Sequence, residues 1–242
     1  MRYGIFSDIH SNLEALERVI QAYQKEEIDE YFCLGDVVGY AADPKECVRL
    51  VKELSRVTIA GNHDWASVGL YSREYFNEFA KEAIAWTGEH LDEAGRIFLK
   101  SLKLVYINED LTLAHGTLDS PQDFRYISDS YSAWKSFRVL ENNICFVGHS
   151  HIAGVFIQDK TGRIHYTLDF PVEIKKENKY IVNAGSVGQP RDSNPKAAYC
   201  IFDTRSSEIW IKRVEYDIKT AGDKIIRAGL PEFCAARLLW GK

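Results

Sequence analysis

Short apolar runs alternate with amphipathic segments through the first third of the chain. Residues 3–6, 31–34 and 57–60 are apolar runs of strand length. Between them, apolar residues recur three and four positions apart, the spacing of a helix with one buried face. The order strand, helix, strand, helix, strand predicts parallel strands joined by crossover helices.

Both helices are preceded by residues that favour a helix start. Ser11 and Glu14 match a capping box, in which the serine is the N-cap residue. Asp43 stands directly before Pro44, as a capping carboxylate does before a proline in the first turn. We therefore expect the first helix to begin at Ser11 and the second at Asp43.

The rest of the chain is predicted to be helical first and then rich in strands. Apolar spacing favours helix over most of residues 65–100, and a last long helix runs from Ile218 to Gly229. Further strands are predicted at residues 104–107, 111–114, 144–147, 155–157, 165–168, 180–182, 199–202 and 209–214. No repeat or linker interrupts the pattern, so we expect a single domain over residues 1–242.

Composition and charge exclude several classes of protein. The formal net charge of −5 gives no general attraction to polymeric nucleic acid. No apolar stretch approaches the ~20 residues of a membrane span, and no signal peptide precedes the first strand. The five cysteines are scattered without a C-x-x-C pair, mostly within apolar segments. We interpret them as small core residues in a reducing compartment, and we expect a cytoplasmic protein without a membrane partner.

Residues that could bind a metal or carry a proton follow five of the predicted strands. They are Asp8 with His10, Asp36, Asn62 with His63, His115, and His149 with His151. These strand exits hold five of the seven histidines, at the edge where α/β folds place their chemistry. A lone histidine is more often a structural residue, but the set is harder to explain in that way. In extended backbone, residues two positions apart point to one side, so each Asp-x-His or His-x-His pair could chelate one ion or two neighbouring ions.

Together these motifs resemble the calcineurin-like metallophosphoesterase superfamily, whose pattern runs D-x-H, G-D, G-N-H-[DE], H and G-H-x-H. Here the pattern is Asp8-Ile9-His10, Gly35-Asp36, Gly61-Asn62-His63-Asp64, His115 and Gly148-His149-Ser150-His151. Residues 183–192 further resemble the small bacterial and archaeal phosphoesterases of the superfamily. The resemblance implies a fold of the α/β or α+β class, a four-layer α-β-β-α sandwich of two mixed β-sheets flanked by helices.

The resemblance also implies a ligand set for two divalent transition-metal ions. The first ion would be held by Asp8, His10, Asp36 and His151, and the second by Asp36, Asn62, His115 and His149. Imidazole, carboxylate and amide ligands suit manganese, with iron, nickel, cobalt or zinc as alternatives. His63 would protonate the leaving group or stabilise the transition state. Asp64 either orients His63 or caps the following helix.

One departure from the superfamily pattern bears on the substrate. Protein Ser/Thr phosphatases and their diadenosine-tetraphosphatase relatives continue Gly-Asp with Asp-Arg-Gly or Asn-Arg-Gly. Here Asp36 is followed by Val37-Val38-Gly39-Tyr40. The phosphate-binding arginine of those enzymes is absent at this place, and Gly39 offers no acid to orient His63. This departure argues against a protein phosphatase.

Two further groups could contact a substrate. The Gly185-Ser186 loop could present backbone N–H groups to a phosphate with Arg191 beside it, and a tight turn between two strands is the equal alternative. The second hypothesis is an aromatic wall that stacks on a base or on another aryl group, although such residues more often belong to the core and its cover. The aromatic residues concerned are Trp65, Tyr71, Tyr75, Phe124, Tyr126 and Tyr131.

The sequence favours a dinuclear metal-dependent phosphoesterase that acts on phosphodiesters or small nucleotides by attack of a metal-bridged hydroxide. The alternatives are a phosphomonoesterase or nucleotide phosphatase on the same site, and a non-catalytic binding scaffold of the same fold. Scaffolds of this kind typically lack the catalytic histidine, so the presence of His63 favours an enzyme. The oligomeric state stays open.

Overall fold

The computed structural model describes residues 1–242 and contains twelve β-strands and eight α-helices. The strands are β1 Arg2–Phe6, β2 Glu30–Cys33, β3 Val57–Thr58, β4 Val105–Ile107, β5 Thr112–Ala114, β6 Ile144–Val147, β7 Gly154–Gln158, β8 Ile164–Thr167, β9 Val172–Glu173, β10 Lys179–Asn183, β11 Ala197–Asp203 and β12 Glu208–Val214. The helices are α1 Leu13–Tyr23, α2 Pro44–Leu54, α3 Asn62–Ser67, α4 Glu78–His90, α5 Glu93–Ser101, α6 Ser130–Val139, α7 Ile218–Arg227 and α8 Glu232–Trp240. Single 3₁₀ turns occupy Arg73–Tyr75 and Pro121–Asp123.

The strands form two six-stranded sheets, and both are mixed. The first has the order β3-β2-β1-β11-β12-β9, in which β1, β2 and β3 are parallel. The second has the order β4-β5-β6-β10-β7-β8, in which β5, β6 and β10 are parallel. The predicted sandwich of two mixed sheets flanked by helices is confirmed. The parallel strands bring their carboxyl ends, with the predicted ligands, to a shared edge.

Alternation along the strands buries both faces of each sheet. In β1, Tyr3 and Ile5 pack between the sheets, whereas Phe6 packs against the helices outside the first sheet. In β10, Tyr180 lies between the sheets and Ile181 packs with the residues of α6. A strand that is covered on both faces becomes a continuous apolar run, which is why these strands could be found from the sequence.

The helix starts differ from the expected caps. The N-cap residue of α1 is Asn12, whose side chain accepts a hydrogen bond from the Ala15 N–H, so the predicted capping box is wrong. Ser11 has a left-handed φ of 58°, and its hydroxyl accepts the Gly39 N–H instead. Asp43 holds the N-cap position of α2 without a capping hydrogen bond, because its carboxylate pairs with Lys224.

Three other sequence predictions have structural outcomes. Residues 65–100 are mostly helical, as expected, and form the end of α3, a 3₁₀ turn, α4 and most of α5. The short strand β9 is absent from the predicted strands. All five cysteines are unpaired and buried, as expected for small core residues. None of the helices combines the length and hydropathy that crossing a bilayer requires.

Candidate metal centre

The loops after five strands bring the seven predicted ligand residues together. They are Asp8, His10, Asp36, Asn62, His115, His149 and His151, and all are buried. Ligand atoms within 4.8 Å of one another form two groups, which are Asp8, His10, Asp36 and His151, and Asp36, His115 and His149. Asp36 belongs to both groups, the position that the resemblance gives to a bridging carboxylate.

The distances within the cluster are short. The Nε2 atom of His151 lies 3.2 Å from Asp8 Oδ1 and 3.0 Å from His10 Nε2. The Nε2 atom of His115 lies 3.3 Å from Asp36 Oδ2 and 3.2 Å from the Asn62 side-chain oxygen. The amide oxygen of Asn62 therefore adds a neutral ligand atom beside the second group.

The backbone at the cluster is not extended, which corrects the expected geometry of the two pairs. Asp8, His10, Asp36, His149 and His151 all have left-handed φ angles, between 51° and 65°. A left-handed backbone conformation costs about 1–2 kcal/mol for each residue that has a Cβ. The surrounding loops hold this conformation through long-range backbone bonds, such as the His10 N–H to the Asp36 carbonyl at 3.0 Å. Such strain is concentrated at functional sites.

Backbone carbonyls orient three of the imidazoles. The Nδ1 atoms of His10, His115 and His151 lie 3.2, 2.7 and 2.6 Å from the carbonyl oxygens of Val38, Leu34 and Gln189. An Nδ1–H that donates to a carbonyl leaves Nε2 to face the two carboxylates. This second contact fixes the ring and its tautomer, as it does for most histidines that bind metals.

The electrostatics also suit a cation. Burial alone would raise the pKa of Asp8, but His151 and His115 outweigh it and hold that pKa well below its usual range. Asp36 is likewise held below its usual pKa, with His115 and His63 outweighing burial. Burial lowers the pKa of His149 to about 3, whereas Asp36 overcomes burial at His115 and raises its pKa to about 9. Two buried carboxylates facing imidazole nitrogens are a fitting donor set for divalent transition metals.

His63 lies beside the cluster without a fixed partner for its ring. Its backbone N–H donates to Asp36 Oδ1 at 2.8 Å, and its ring packs edge-on to His10 and Phe76. The Nδ1 atom is buried and has no hydrogen-bond partner. Burial lowers the pKa of His63 to about 4, with Arg191 adding to the effect and Asp36 opposing it.

Asp64 does not orient His63. Its Oδ1 accepts hydrogen bonds from the Val37 and Val38 N–H groups, and its Oδ2 accepts the Gly61 N–H. The carboxylate therefore caps α3 and ties it to the loop after β2, which is the second of the two predicted roles. Asp64 positions the loops that carry Asp36 and His63, and no side chain orients the His63 ring.

The polar groups of the Gly185-Ser186 loop hydrogen-bond within the protein. The Gly185 N–H donates to the Asn183 side chain, and the Ser186 hydroxyl donates to the Asp8 carbonyl. These groups stabilise the Asp8 loop, and neither residue lines the cavity, which favours the alternative of a structural turn. Arg191 does reach the site, since it lines the cavity. Its guanidinium donates to Gln189 Oε1 at 2.9 Å and lies over the Tyr40 ring.

Four residues of the cluster, Asp36, Asn62, His149 and His151, line an open cavity of about 310 Å³. Arg191 and Tyr40 lie in its lining, and so do four of the six predicted wall aromatics, Tyr71, Tyr75, Phe124 and Tyr126. The other two aromatics are placed elsewhere. Trp65 packs on Phe124 beside the core under α3, and Tyr131 is exposed and stacked on Trp134 in α6.

Sequence reasoning missed Tyr40 and Phe76, which also line the cavity. Tyr40 was noted only as part of a departure from the phosphatase pattern, and its position four residues after Asp36 was the available signal. Phe76 falls within residues 65–100, where the apolar spacing favours a helix. In the structure it precedes α4 and contacts the His63 ring at 5.0 Å between centroids.

The sequence matches the family model of the calcineurin-like phosphoesterase superfamily domain over residues 1–207. The protein therefore belongs to this superfamily, as the motifs indicated. Over 244 residues it is 40% identical to an uncharacterized protein of Methanocaldococcus jannaschii, and the match covers 99% of this chain and 98% of that protein.

Two solved structures are similar along the whole chain. A metallophosphoesterase from Sphaerobacter thermophilus has a TM-score of 0.89 and 37% identity, with 100% of this chain and 99% of that chain covered. A hypothetical protein from Pyrococcus horikoshii OT3 shares the fold, with a TM-score of 0.80, 20% identity and coverage of 100% and 98%. The expected branch of small bacterial and archaeal members is confirmed. Membership and the ligand cluster support a phosphoric ester hydrolase that uses metal.

Proposed function

We propose that this protein is a dinuclear metal-dependent phosphodiesterase. The observation that carries the proposal is the pair of buried carboxylates with lowered pKa values, Asp8 and Asp36, which lie among imidazole nitrogens beside an open cavity that Asp36 lines. One ion would be held by Asp8, His10, Asp36 and His151, and the other by Asp36, Asn62, His115 and His149. We propose manganese as the native metal.

The two ions would supply Lewis-acid stabilisation of the phosphoryl charge and a nucleophilic water at neutral pH. The protein's own groups then bind and orient the substrate. Arg191 lines the cavity and its guanidinium is held by Gln189, so it can donate to a phosphoryl oxygen. His63 lines the cavity and is proposed to hydrogen-bond or protonate the leaving-group oxygen.

A diester fits the cavity better than a monoester. Near pH 7 a phosphate monoester carries about 1.5 to 2 negative charges, because its second pKa is about 6, whereas a diester carries one. Apart from the two proposed ions, Arg191 is the only cationic group in the lining, which also contains the carboxylate of Asp123. The aromatic side of the cavity has room for a second ester group.

The proposed substrate is a small phosphoester rather than polymeric nucleic acid, because the net charge of −5 does not favour a polyanion. The five unpaired, buried cysteines favour a reducing compartment, and we propose the cytoplasm.

The test is metal reconstitution followed by substrate comparison. Chelated protein is reloaded with Mn²⁺, Ni²⁺, Co²⁺ or Zn²⁺, and bound metal is measured together with kcat/KM for bis-p-nitrophenyl phosphate and p-nitrophenyl phosphate. We expect two ions per chain and a higher kcat/KM for the diester. His151→Ala should reduce metal occupancy chiefly at one site, and His165→Ala is its matched control, because His165 is an exposed histidine outside the cluster. Hydrolysis that persists without metal, or a preference for the monoester, would contradict the proposal.

A further inference from the structure

Five aromatic side chains form one side of the cavity, which we call the aromatic wall. They are Tyr71, Tyr75, Phe76, Phe124 and Tyr126. They come from two separate loops, one between α3 and α4 and the other between β5 and α6. Two independent loops thus bring rings to the same side of the ligand cluster.

The aromatic wall is continuous with the metal centre. The Tyr126 ring stacks on His149 with centroids 4.1 Å apart and an interplanar angle of 9°. The Phe76 ring lies 5.0 Å from the His63 ring, and Phe124 lies 5.9 Å from His115. A group attached to a phosphate at the metal centre would therefore meet the wall directly.

The rings of the aromatic wall pack on one another at its base and are exposed at its edge. Tyr71 packs on Phe124 at 5.0 Å and on Tyr75 at 5.3 Å between centroids. Tyr75 is nevertheless 76% exposed, the largest exposure among the big hydrophobic side chains, and Tyr126 is 51% exposed. Exposed rings inside a concave site are surfaces that a planar ligand can cover, and a tyrosine has only two side-chain torsions to immobilise.

Polar groups on the same side indicate what kind of planar ligand fits. The Asn77 side-chain oxygen accepts the Ala80 N–H at the start of α4, which leaves its amide N–H groups free for a ligand. Asn77 and Asp123 both line the cavity beside the rings. An aliphatic group would leave these donors and acceptors unused, whereas a nucleobase has a ring face for stacking and a polar edge for hydrogen bonding.

We propose that the aromatic wall is a nucleoside subsite, with Tyr75 as its main stacking residue. The substrate is then a nucleotide ester whose base lies against Tyr75 and whose phosphoryl group lies at the metal centre. This inference rests on the proposed function, because the metal centre must bind the phosphoryl group.

The test compares two ligands that differ only by the base. Adenosine 5′-monophosphate and ribose 5-phosphate are titrated into Mn²⁺-loaded protein by calorimetry, and binding is measured rather than turnover. We expect the nucleotide to bind more tightly. In Tyr75→Ala this preference should shrink by about 5- to 150-fold, the loss usually found when a stacking aromatic is replaced by alanine. Tyr75→Phe should keep the preference, since it keeps the ring.

Tyr131→Ala is the matched control, because Tyr131 is a similarly exposed tyrosine outside the cavity, and it should bind both ligands like the wild type. Thermal unfolding of each variant shows whether the fold is retained. If the wild type binds both ligands equally, or if Tyr75→Ala weakens both equally, the nucleoside subsite is refuted while the metal centre still binds phosphate. If neither ligand binds, the proposed function fails as well.

Discussion

Gly39 controls the position of the His63 ring, and Gly39→Ala should displace it. A Cβ at residue 39 would lie 2.5 Å from His63 Nδ1 and 3.3 Å from His10 Nδ1. The His63 ring would have to move by roughly 1 Å to restore ordinary contact, about 3.5 Å. Gly39 also has a φ of 111°, a backbone conformation that alanine adopts only with strain.

These two effects have different magnitudes and different readouts. Misplacing a catalytic group by about 1 Å costs roughly 10²-fold in rate, so kcat should fall by about that factor. The backbone strain should lower the free energy of unfolding by about 1–3 kcal/mol. For a chain of this size that corresponds to a fall in Tm of about 2–12 °C. Bound metal should stay close to two ions per chain, because the nearer clash is with a residue that is not a proposed ligand.

A double-mutant cycle tests whether the effect acts through His63. We expect Gly39→Ala to slow the wild type about 10²-fold but to change kcat little in a His63→Ala background, because coupled residues are not additive. Gly162→Ala is the matched control, since its φ is 85° and an added Cβ there would meet nothing within 4 Å. It should lower stability without changing kcat. A rate loss of equal size in both backgrounds would show that Gly39→Ala distorts the metal centre instead, and would refute this reasoning.

Three other predictions test the site and the core. Asp36→Asn should reduce occupancy of both metal sites and His151→Ala chiefly that of one, as metal analysis of the purified variants can show; two tightly bound ions in Asp36→Asn would disprove the bridging role. His63→Ala should retain both ions and lose about 10²–10⁴-fold in kcat for alkyl esters, with a smaller loss for p-nitrophenyl esters, whose leaving group needs no proton. A loss independent of the leaving group would remove the acid role. Burial raises the thiol pKa of Cys234 to about 11 and of Cys145 to about 12, so at pH 8 the reactive thiolate is depleted. A thiol reagent should therefore label no cysteine in the native protein and all five in denaturant, and rapid native labelling would contradict their burial.

The sandwich could be predicted because its strands are buried on both faces. Runs such as residues 3–6 are apolar without interruption, and the helices between them have clear stripes. The five motifs then identified the edge at which the ligands meet. Residues far apart in the chain, such as Asp8 and His151, could be grouped because each follows a predicted strand.

Local polar contacts were predicted less well, because their partners are distant in the sequence. The Ser11 hydroxyl bonds to Gly39 rather than to its own helix, and Ser186 bonds to Asp8. Asp64 likewise bonds to the loop after β2. A capping or phosphate-loop motif identifies only the hydrogen bonds that a side chain can form with residues close to it in the sequence. Here the hydrogen-bond partners lie in loops that are distant in the sequence. The left-handed backbone of Asp8 and His10 was also hidden, since neither residue is a glycine.

The left-handed backbone of the five cluster residues has an evolutionary consequence. At about 1–2 kcal/mol each, their combined cost is roughly 5–10 kcal/mol, comparable with the entire net stability of an ordinary domain. Glycine at His149 or His151 would remove both a ligand and part of that cost. A lineage that is no longer selected for hydrolysis could therefore gain folding stability as it lost its metal ligands. Such a protein could then persist with a different function.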